Sequence, residues 1–214
     1  MRLVLPRLYV ILDAALLTFP EIELAQKFAN AGVRLLQYRN KSASSRELFE
    51  SSKRLSSQLA PQGVTFIVND RADVASLAGA SGVHVGQQDL GVQEARRVIG
   101  AGKLVGVSTH NLEQFERAAA ASADYIAVGP VFSTSTKANP DPVVGIDFIR
   151  RVRALTSKPI VAIGGITLNR AVEAVRAGAD CVAVASDILL APDPGKRAHQ
   201  FVDLLEAANH AAAV

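Results

Sequence analysis

The stretch LLQYRNK (35–41) ends an apolar run in Arg39, Asn40 and Lys41. Two cations at the mouth of a buried strand are either a solvated strand end or one wall of an anion site. Two later apolar runs end in aspartates: VTFIVND (64–70) in Asp70, and GVHVG (82–86) in Gln87, Gln88 and Asp89. Carboxylates on neighbouring strand ends can share one hard cation. A site with only two carboxylates suits Mg²⁺, which keeps waters and takes phosphate oxygens as further ligands. Each aspartate could instead cap the helix after it, Asp70 ahead of ADVASLA and Asp89 ahead of GVQEARRV. Gly164-Gly165 and Ala185-Ser186 follow two further runs, where loop amides and a helix N-terminus can receive phosphate. A Gly-Gly pair serves equally as a plain turn. GPVFSTSTKANPDPVVG (129–145) carries Thr134, Ser135, Thr136 and Lys137. It is long for a connection in a compact domain, which favours a binding or lid role over a polar surface excursion.

These groups need a scaffold that gathers strand ends. Eight short apolar runs recur along the chain: 8–13, 33–39, 64–70, 82–86, 103–108, 124–130, 159–165 and 181–186. Their near-continuous apolarity indicates strands buried on both faces, as in parallel sheets. Helix-period segments lie between them, among them ELAQKFANAG, RELFESSKRLSSQLA, NLEQFERAAAAS, DFIRRVRAL and TLNRAVEAVRAG. A weak internal echo (ANAGVRLLQ, AGASGVHVG, AAASADYIAVG, VRAGADCVAVAS) makes the repeating unit a helix followed by a strand. Eight such units predict a single-domain (β/α)8 barrel over residues 1–214, with chemistry at the C-terminal ends of its strands. A doubly wound open sheet is the competing fold, but the Asp13-Ala14-Ala15 turn after the first strand lacks the glycines such a sheet would use there. The barrel rim would then collect Gln37, Arg39 and Lys41; Asn69 and Asp70; Gln87, Gln88 and Asp89; Ser108, Thr109 and His110; and the three later loops.

Composition narrows the function. The net charge is only +3, basic residues are scattered, and Trp is absent, so a small anionic ligand is favoured over nucleic acid. The one cysteine, Cys181, excludes an intrachain disulfide framework and reads as a small apolar residue opening a buried strand. No stretch reaches the roughly 18 apolar residues of a spanning helix, and the expected location is cytoplasmic. His84 falls inside the fourth strand and reads as a packed core histidine; His110 is a rim residue or solvated, and His199 and His210 belong to the C-terminal helical region. No GxSxG, HExxH or Walker-type loop is present. Anion-stabilising groups without an obvious general base point to departure of a phosphate leaving group, which needs little proton traffic.

Taken in order, QYRNK (37–41), ND (69–70), HVGQQD (84–89), GVS (106–108), GPVFSTSTK (129–137), AIGGI (162–166) and ASD after the eighth strand resemble thiamine phosphate synthases along nearly the whole chain. The resemblance implies an Mg²⁺-dependent transferase of a pyrimidinylmethyl group. It would join hydroxymethylpyrimidine diphosphate to hydroxyethylthiazole phosphate and release diphosphate. Gln37, Arg39, Lys41, Asn69, Ser108 and Lys137 match pyrimidine diphosphate positions, with Arg39, Lys41, Ser108 and Lys137 expected to act in the reaction. Asp70 and Asp89 match the Mg²⁺ ligands. Thr134, Ser135, Thr136, Gly165, Ala185 and Ser186 match the thiazole phosphate site. Ser133 stands where proline is common in the family, and Ala185 where a larger aliphatic residue occurs. Small-molecule substrates are the expected partners, with no nucleic acid or membrane; a homo-oligomer is compatible with the sequence. Two other classes compete: an isomerase on the same barrel, such as a thiazole tautomerase or a sugar-phosphate isomerase, and a non-catalytic paralogue that senses thiamine precursors. A tautomerase is expected to carry a His or an acid near GPVF, where this chain has Pro130.

Overall fold

The computed structural model describes residues 3–134 and 141–211. The chain alternates β1 (Leu8–Asp13), α1 (Glu21–Asn30), β2 (Leu35–Arg39), α2 (Ser45–Leu59), β3 (Thr65–Asn69), α3 (Ala72–Leu77), β4 (Gly82–Val85) and α4 (Val92–Ile99). It continues with β5 (Leu104–Thr109), α5 (Leu112–Ala120), β6 (Tyr125–Val128), α6 (Ile146–Arg153), β7 (Ile160–Ile163), α7 (Leu168–Arg176), β8 (Cys181–Val184), a short α8 (Ser186–Leu189) and α9 (Pro194–Ala211). All neighbouring strands are parallel, and β8 pairs with β1 to close the barrel. The predicted (β/α)8 architecture is therefore observed, and the open-sheet alternative is excluded. Among the described residues, no helix is long and apolar enough to cross a membrane.

Alternation along each strand builds two cores. Val10, Leu36, Val68, Val83 and Val182 point outward into the layer under the helices. Tyr9, Ile11, Leu35, Ile67, Tyr125, Val161 and Cys181 point inward and fill the barrel. Both sets are buried, so the strands read as unbroken apolar runs. Tyr125 fits inside because β5 carries Gly106 beside it: a Cβ there would lie 2.0 Å from the Tyr125 ring. Cys181 is buried in this inner layer, as its position suggested, and burial raises its thiol pKa, so it stays protonated.

The sequence echo has a physical basis at the N-terminal end of the barrel. Ser81, Asp124 and Asp180 each precede an even-numbered strand, and each side chain accepts a backbone N–H from the strand before it: Phe66 at 3.1 Å, Val105 at 2.7 Å and Ile160 at 2.8 Å. Arg96 and Arg153, from the last turns of α4 and α6, pair with Asp124 and Asp180. These contacts fix strand register on the face away from the rim, where barrel residues serve stability.

Candidate active site

The C-terminal ends of all eight strands surround one cavity of about 580 Å³. The described residues that the family resemblance placed in the site all line it: Gln37, Arg39, Lys41, Asn69, Asp70, Asp89, Ser108, Thr134, Gly165, Ala185 and Ser186. Thr109, expected on the rim beside Ser108, is instead fully buried and donates to the Ala127 carbonyl at 2.9 Å. Ser135, Thr136 and Lys137 lie outside the described residues.

One wall, from β2 to β4, carries the charges. Arg39 donates to Asp13 at 2.5 Å, a pairing set by the β1–β2 register that places these residues side by side. Lys41 pairs with Asp70. Asp70 has φ of 64°, the single non-glycine residue with positive φ among those described. A non-glycine residue held in the left-handed region costs free energy, and such residues cluster at functional sites. Its amide donates to the His84 carbonyl at 2.7 Å, which anchors the strained peptide between β3 and β4. Asp89 folds back to accept from the Gly86 amide at 2.8 Å. Neither aspartate caps a helix: Arg71 and Gly91 hold the N-cap positions of α3 and α4, and neither helix has a side-chain cap.

The two carboxylates influence each other. Burial raises the Asp70 pKa, the nearby Asp89 carboxylate pushes it further, and Lys41 opposes both. Adjacent carboxylates in a partly desolvated site favour a shared cation. Among the described residues no group of three or more His, Cys, Asp and Glu could hold a metal. Asp70 and Asp89 could together offer a cation two carboxylates, leaving the other ligand positions open to neutral oxygens, a donor set that would suit Mg²⁺.

The opposite wall, after β7 and β8, is built from backbone. Gly164 and Gly165 have φ of 94° and 64°. Cβ atoms there would lie 2.5 Å from Pro130 and 2.4 Å from the Ser133 carbonyl, so only glycine lets the two loops pass so closely. Val131 and Phe132 amides donate to the Ile163 and Gly164 carbonyls at 2.9 and 3.0 Å, stitching the start of the β6 loop to this turn. Arg170 donates to the Gly165 carbonyl at 2.9 Å and lies over the Phe132 ring. Ser186 opens α8, and a two-pronged pair from Arg197 to Asp187, at 2.9 and 3.2 Å, ties α8 to α9.

The floor holds residues that sequence reasoning did not select. Gln37 Nε2 donates to the Tyr9 hydroxyl at 2.7 Å, Tyr9 and Tyr125 hydroxyls are 3.0 Å apart, Tyr125 meets His84 Nδ1 at 3.1 Å, and His84 Nε2 meets Ser108 Oγ at 2.8 Å. His84 is thus a packed, hydrogen-bonded histidine that also reaches a site residue. His110 is a rim residue: Nδ1 donates to the Gly129 carbonyl at 2.6 Å, and Nε2 lies 3.5 Å from Asp141. Tyr9 and Asp13 share one face of β1, because counting in twos puts residues 9, 11 and 13 together, and it is the closed barrel that turns this face inward.

A closed parallel barrel whose C-terminal rim carries an Arg, Lys and carboxylate cluster on one wall, and a glycine turn with a short helix on the opposite wall, belongs to the (β/α)8 barrel class with its site at the strand C-termini. Residues 8–188 match the family model described as thiamine monophosphate synthase, and the chain belongs to that family. It is 50% identical over 209 residues to the thiamine-phosphate synthase of Koribacter versatilis (strain Ellin345), covering 95% of this chain and 97% of that one. It is 44% identical over 196 residues to the thiamine-phosphate synthase of Chloroflexus aurantiacus, covering 91% and 90%. Thiamine phosphate pyrophosphorylase from Pyrococcus furiosus superposes with a TM-score of 0.87 at 32% identity, covering 95% of this chain and 96% of that one.

Proposed function

We propose that this chain condenses hydroxymethylpyrimidine diphosphate with hydroxyethylthiazole phosphate to give thiamine phosphate and diphosphate. The observation that carries the proposal is the facing of two unlike anion sites across one cavity. Arg39 ends β2, Lys41, Asp70 and Asp89 follow the ends of β2, β3 and β4, and Gly165 and Ser186 stand after β7 and β8. In an eight-stranded ring β3 and β7 are opposite, so each substrate's phosphate has its own wall, and the pyrimidine methylene carbon and the thiazole nitrogen meet between.

Arg39 and Lys41 bind the diphosphate and stabilise charge as the C–O bond breaks and the leaving group departs with the electron pair. Mg²⁺ held by Asp70 and Asp89 would supply further positive charge to the diphosphate oxygens. Gln37, Asn69 and Ser108 orient the aminopyrimidine, whose electron-rich ring bears the positive charge left on its methylene. Thr134, Gly165, Ala185 and Ser186 hold the thiazole phosphate so that the thiazole nitrogen faces that carbon and forms the new C–N bond with its lone pair. Ser135, Thr136 and Lys137 belong to the same loop and take the roles implied by the family resemblance. No proton has to move, which agrees with a cavity rich in anion donors.

The test is to mix the purified chain with both substrates and Mg²⁺ and to follow thiamine phosphate and diphosphate. Failure to form either, with both substrates bound, sinks the proposal. One observation favours a second reading: His110 and Asp141 form a His–Asp pair on the rim, a group able to move a proton as a thiazole tautomerase must. Solvent deuterium entering the thiazole alone, with no condensation, would establish that reading instead.

A further inference from the structure

We infer that Tyr9, Tyr125 and His84 form a hydrogen-bond chain that fixes which end of Gln37 and which end of Ser108 faces the substrate, and so selects an amino- over an oxo-pyrimidine. The inference rests on the proposed function, in which Gln37 and Ser108 orient the pyrimidine.

The chain crosses the barrel beneath the cavity, from β2 through β1, β6 and β4 to β5, with successive polar atoms 2.7, 3.0, 3.1 and 2.8 Å apart. Its middle is buried, with Tyr9 and His84 meeting the cavity only at its floor: Tyr9 is 1% exposed, Tyr125 is fully buried and His84 is 6% exposed. Burial raises the pKa of both phenols, so each keeps its single hydrogen. In such a place each donor needs an acceptor, because an unpaired buried hydroxyl is costly.

One hydrogen per hydroxyl fixes the direction. Gln37 gives an N–H to Tyr9, so Tyr9 must give its own hydrogen to Tyr125. Tyr125 then gives its hydrogen to His84 Nδ1, which accepts. The ring proton of His84 is left on Nε2 and goes to Ser108 Oγ. Ser108 therefore turns its own hydrogen toward the cavity as a donor, and Gln37 turns its carbonyl oxygen there as an acceptor. A second ring proton on His84 would set two hydrogens against each other between Tyr125 and Tyr9, so the same count requires a neutral imidazole. Reversing the Gln37 amide reverses every step together, so the two ends cannot be set independently.

An acceptor at Gln37 and a donor at Ser108 match an exocyclic amino group and an unprotonated ring nitrogen. The corresponding oxo-pyrimidine presents a carbonyl and a ring N–H, which places acceptor against acceptor and donor against donor. A site built to hydrogen-bond a substrate N–H rejects the analogue lacking it far more strongly than a hydrophobic pocket could. The three buried residues touch no reacting atom in this account; they are positioning residues, and selectivity is what they set.

Two measurements test this. The first is equilibrium binding of the 4-amino-pyrimidine diphosphate and its 4-oxo analogue to the wild type and to Tyr125→Phe, which keeps the ring beside Gly106 and removes one link. We expect the wild type to prefer the amino compound by on the order of 10²-fold. Tyr125→Phe should lower that ratio at least tenfold while inorganic diphosphate binds within about twofold of wild type. An unchanged ratio in folded Tyr125→Phe overturns the inference, as does a wild type that binds both compounds equally well. The second needs no change in the chain of hydrogen bonds: ¹⁵N NMR of histidine-labelled protein with His110, His199 and His210 replaced by Asn, leaving His84 alone. A neutral ring protonated at Nε2 is expected, and a ring protonated at Nδ1 overturns the assigned direction. Both measurements report without turnover, so absence of thiamine phosphate would sink the functional proposal by a separate result.

Discussion

Arg39 Nη1 lies 2.5 Å from Asp13 Oδ2, so the guanidinium proposed to hold diphosphate is oriented by a carboxylate on the neighbouring strand. Asp13 also accepts from the Ala15 amide at 3.1 Å, which fixes the carboxylate itself. The Asp13 side chain is 5% exposed and that of Arg39 23%, so the aspartate is the partner that suffers if the pair is broken.

Arg39→Ala should therefore lose stability as well as diphosphate affinity. A fully buried broken pair costs about 3–5 kcal/mol; with the guanidinium partly in water we expect ~2 kcal/mol. Adding Asp13→Asn should restore at least half of that loss and none of the affinity. Urea unfolding and calorimetric titration with inorganic diphosphate read the two quantities apart. A double variant as unstable as Arg39→Ala would show that the pair does not carry the stability assigned to it.

Asp70 gives a pH dependence with a definite sign. Its carboxyl pKa is raised in the folded chain by burial and by Asp89, so the folded state binds more protons than the unfolded state once pH exceeds the ordinary value of 3.8. Ionised Asp70 thus costs stability, and the cost grows as pH rises through the raised value. Asp70→Asn should raise the Tm of the metal-free protein at pH 7, with no gain at pH 3. Asparagine also tolerates the left-handed backbone found here. Mg²⁺ should raise the Tm of the wild type and leave that of Asp70→Asn nearly unchanged. A lower Tm for metal-free Asp70→Asn at pH 7 would mean that the Lys41 pairing outweighs burial.

Gly106→Ala should act through Tyr125. The added methyl would lie 2.0 Å from the ring, and the tyrosine is enclosed by the inner core, so strands must shift or the ring must leave. Overpacking of this kind costs about 1–3 kcal/mol. The same Gly106→Ala change made in a Tyr125→Ala background should cost clearly less than it does in the wild type, because the space left by the ring admits the methyl. If the single variant melts within 1 °C of wild type, Gly106 is not what admits Tyr125.

Much of this was legible in the sequence, and the misses share a cause. All eight strands coincide with apolar runs because burial on both faces leaves a strong signal of length and position. The same double burial hides which residues point inward, so Tyr9 and Tyr125 were indistinguishable from Tyr38, which faces the helices. Strand ends drifted by a residue or two where a side chain acts against its neighbours. Arg34 precedes β2 and turns its guanidinium onto the Ala29 and Val33 carbonyls, whereas Thr109 extends β5 by donating to the Ala127 carbonyl. Charged rim residues were readable because a cation or carboxylate at the end of an apolar run is conspicuous. Asp13 ended such a run too, but its role depends on the β1–β2 register, which a single strand does not encode. The helix-cap alternative for Asp70 and Asp89 could not be settled by residue type, since the same side chains serve both tasks.

Lys137 is assigned from sequence alone, and it distinguishes the transferase from the isomerase reading most sharply. If departure of diphosphate is the chemical event, an ammonium supplied by the loop should act mainly as negative charge grows on the leaving group. It would then be felt more in the transition state than in the bound substrate. Lys137→Ala is expected to lower kcat by on the order of 10²-fold or more, comparable with losing one preorganised charge-stabilising donor, with a smaller change in Kd. Lys137→Arg should recover only part of the rate, because a planar fork does not reproduce a compact ammonium. Single-turnover measurement decides between the roles. An unchanged chemical rate with weaker binding would make Lys137 an anchor, leaving Arg39, Lys41 and the Asp70–Asp89 metal site to stabilise the leaving group.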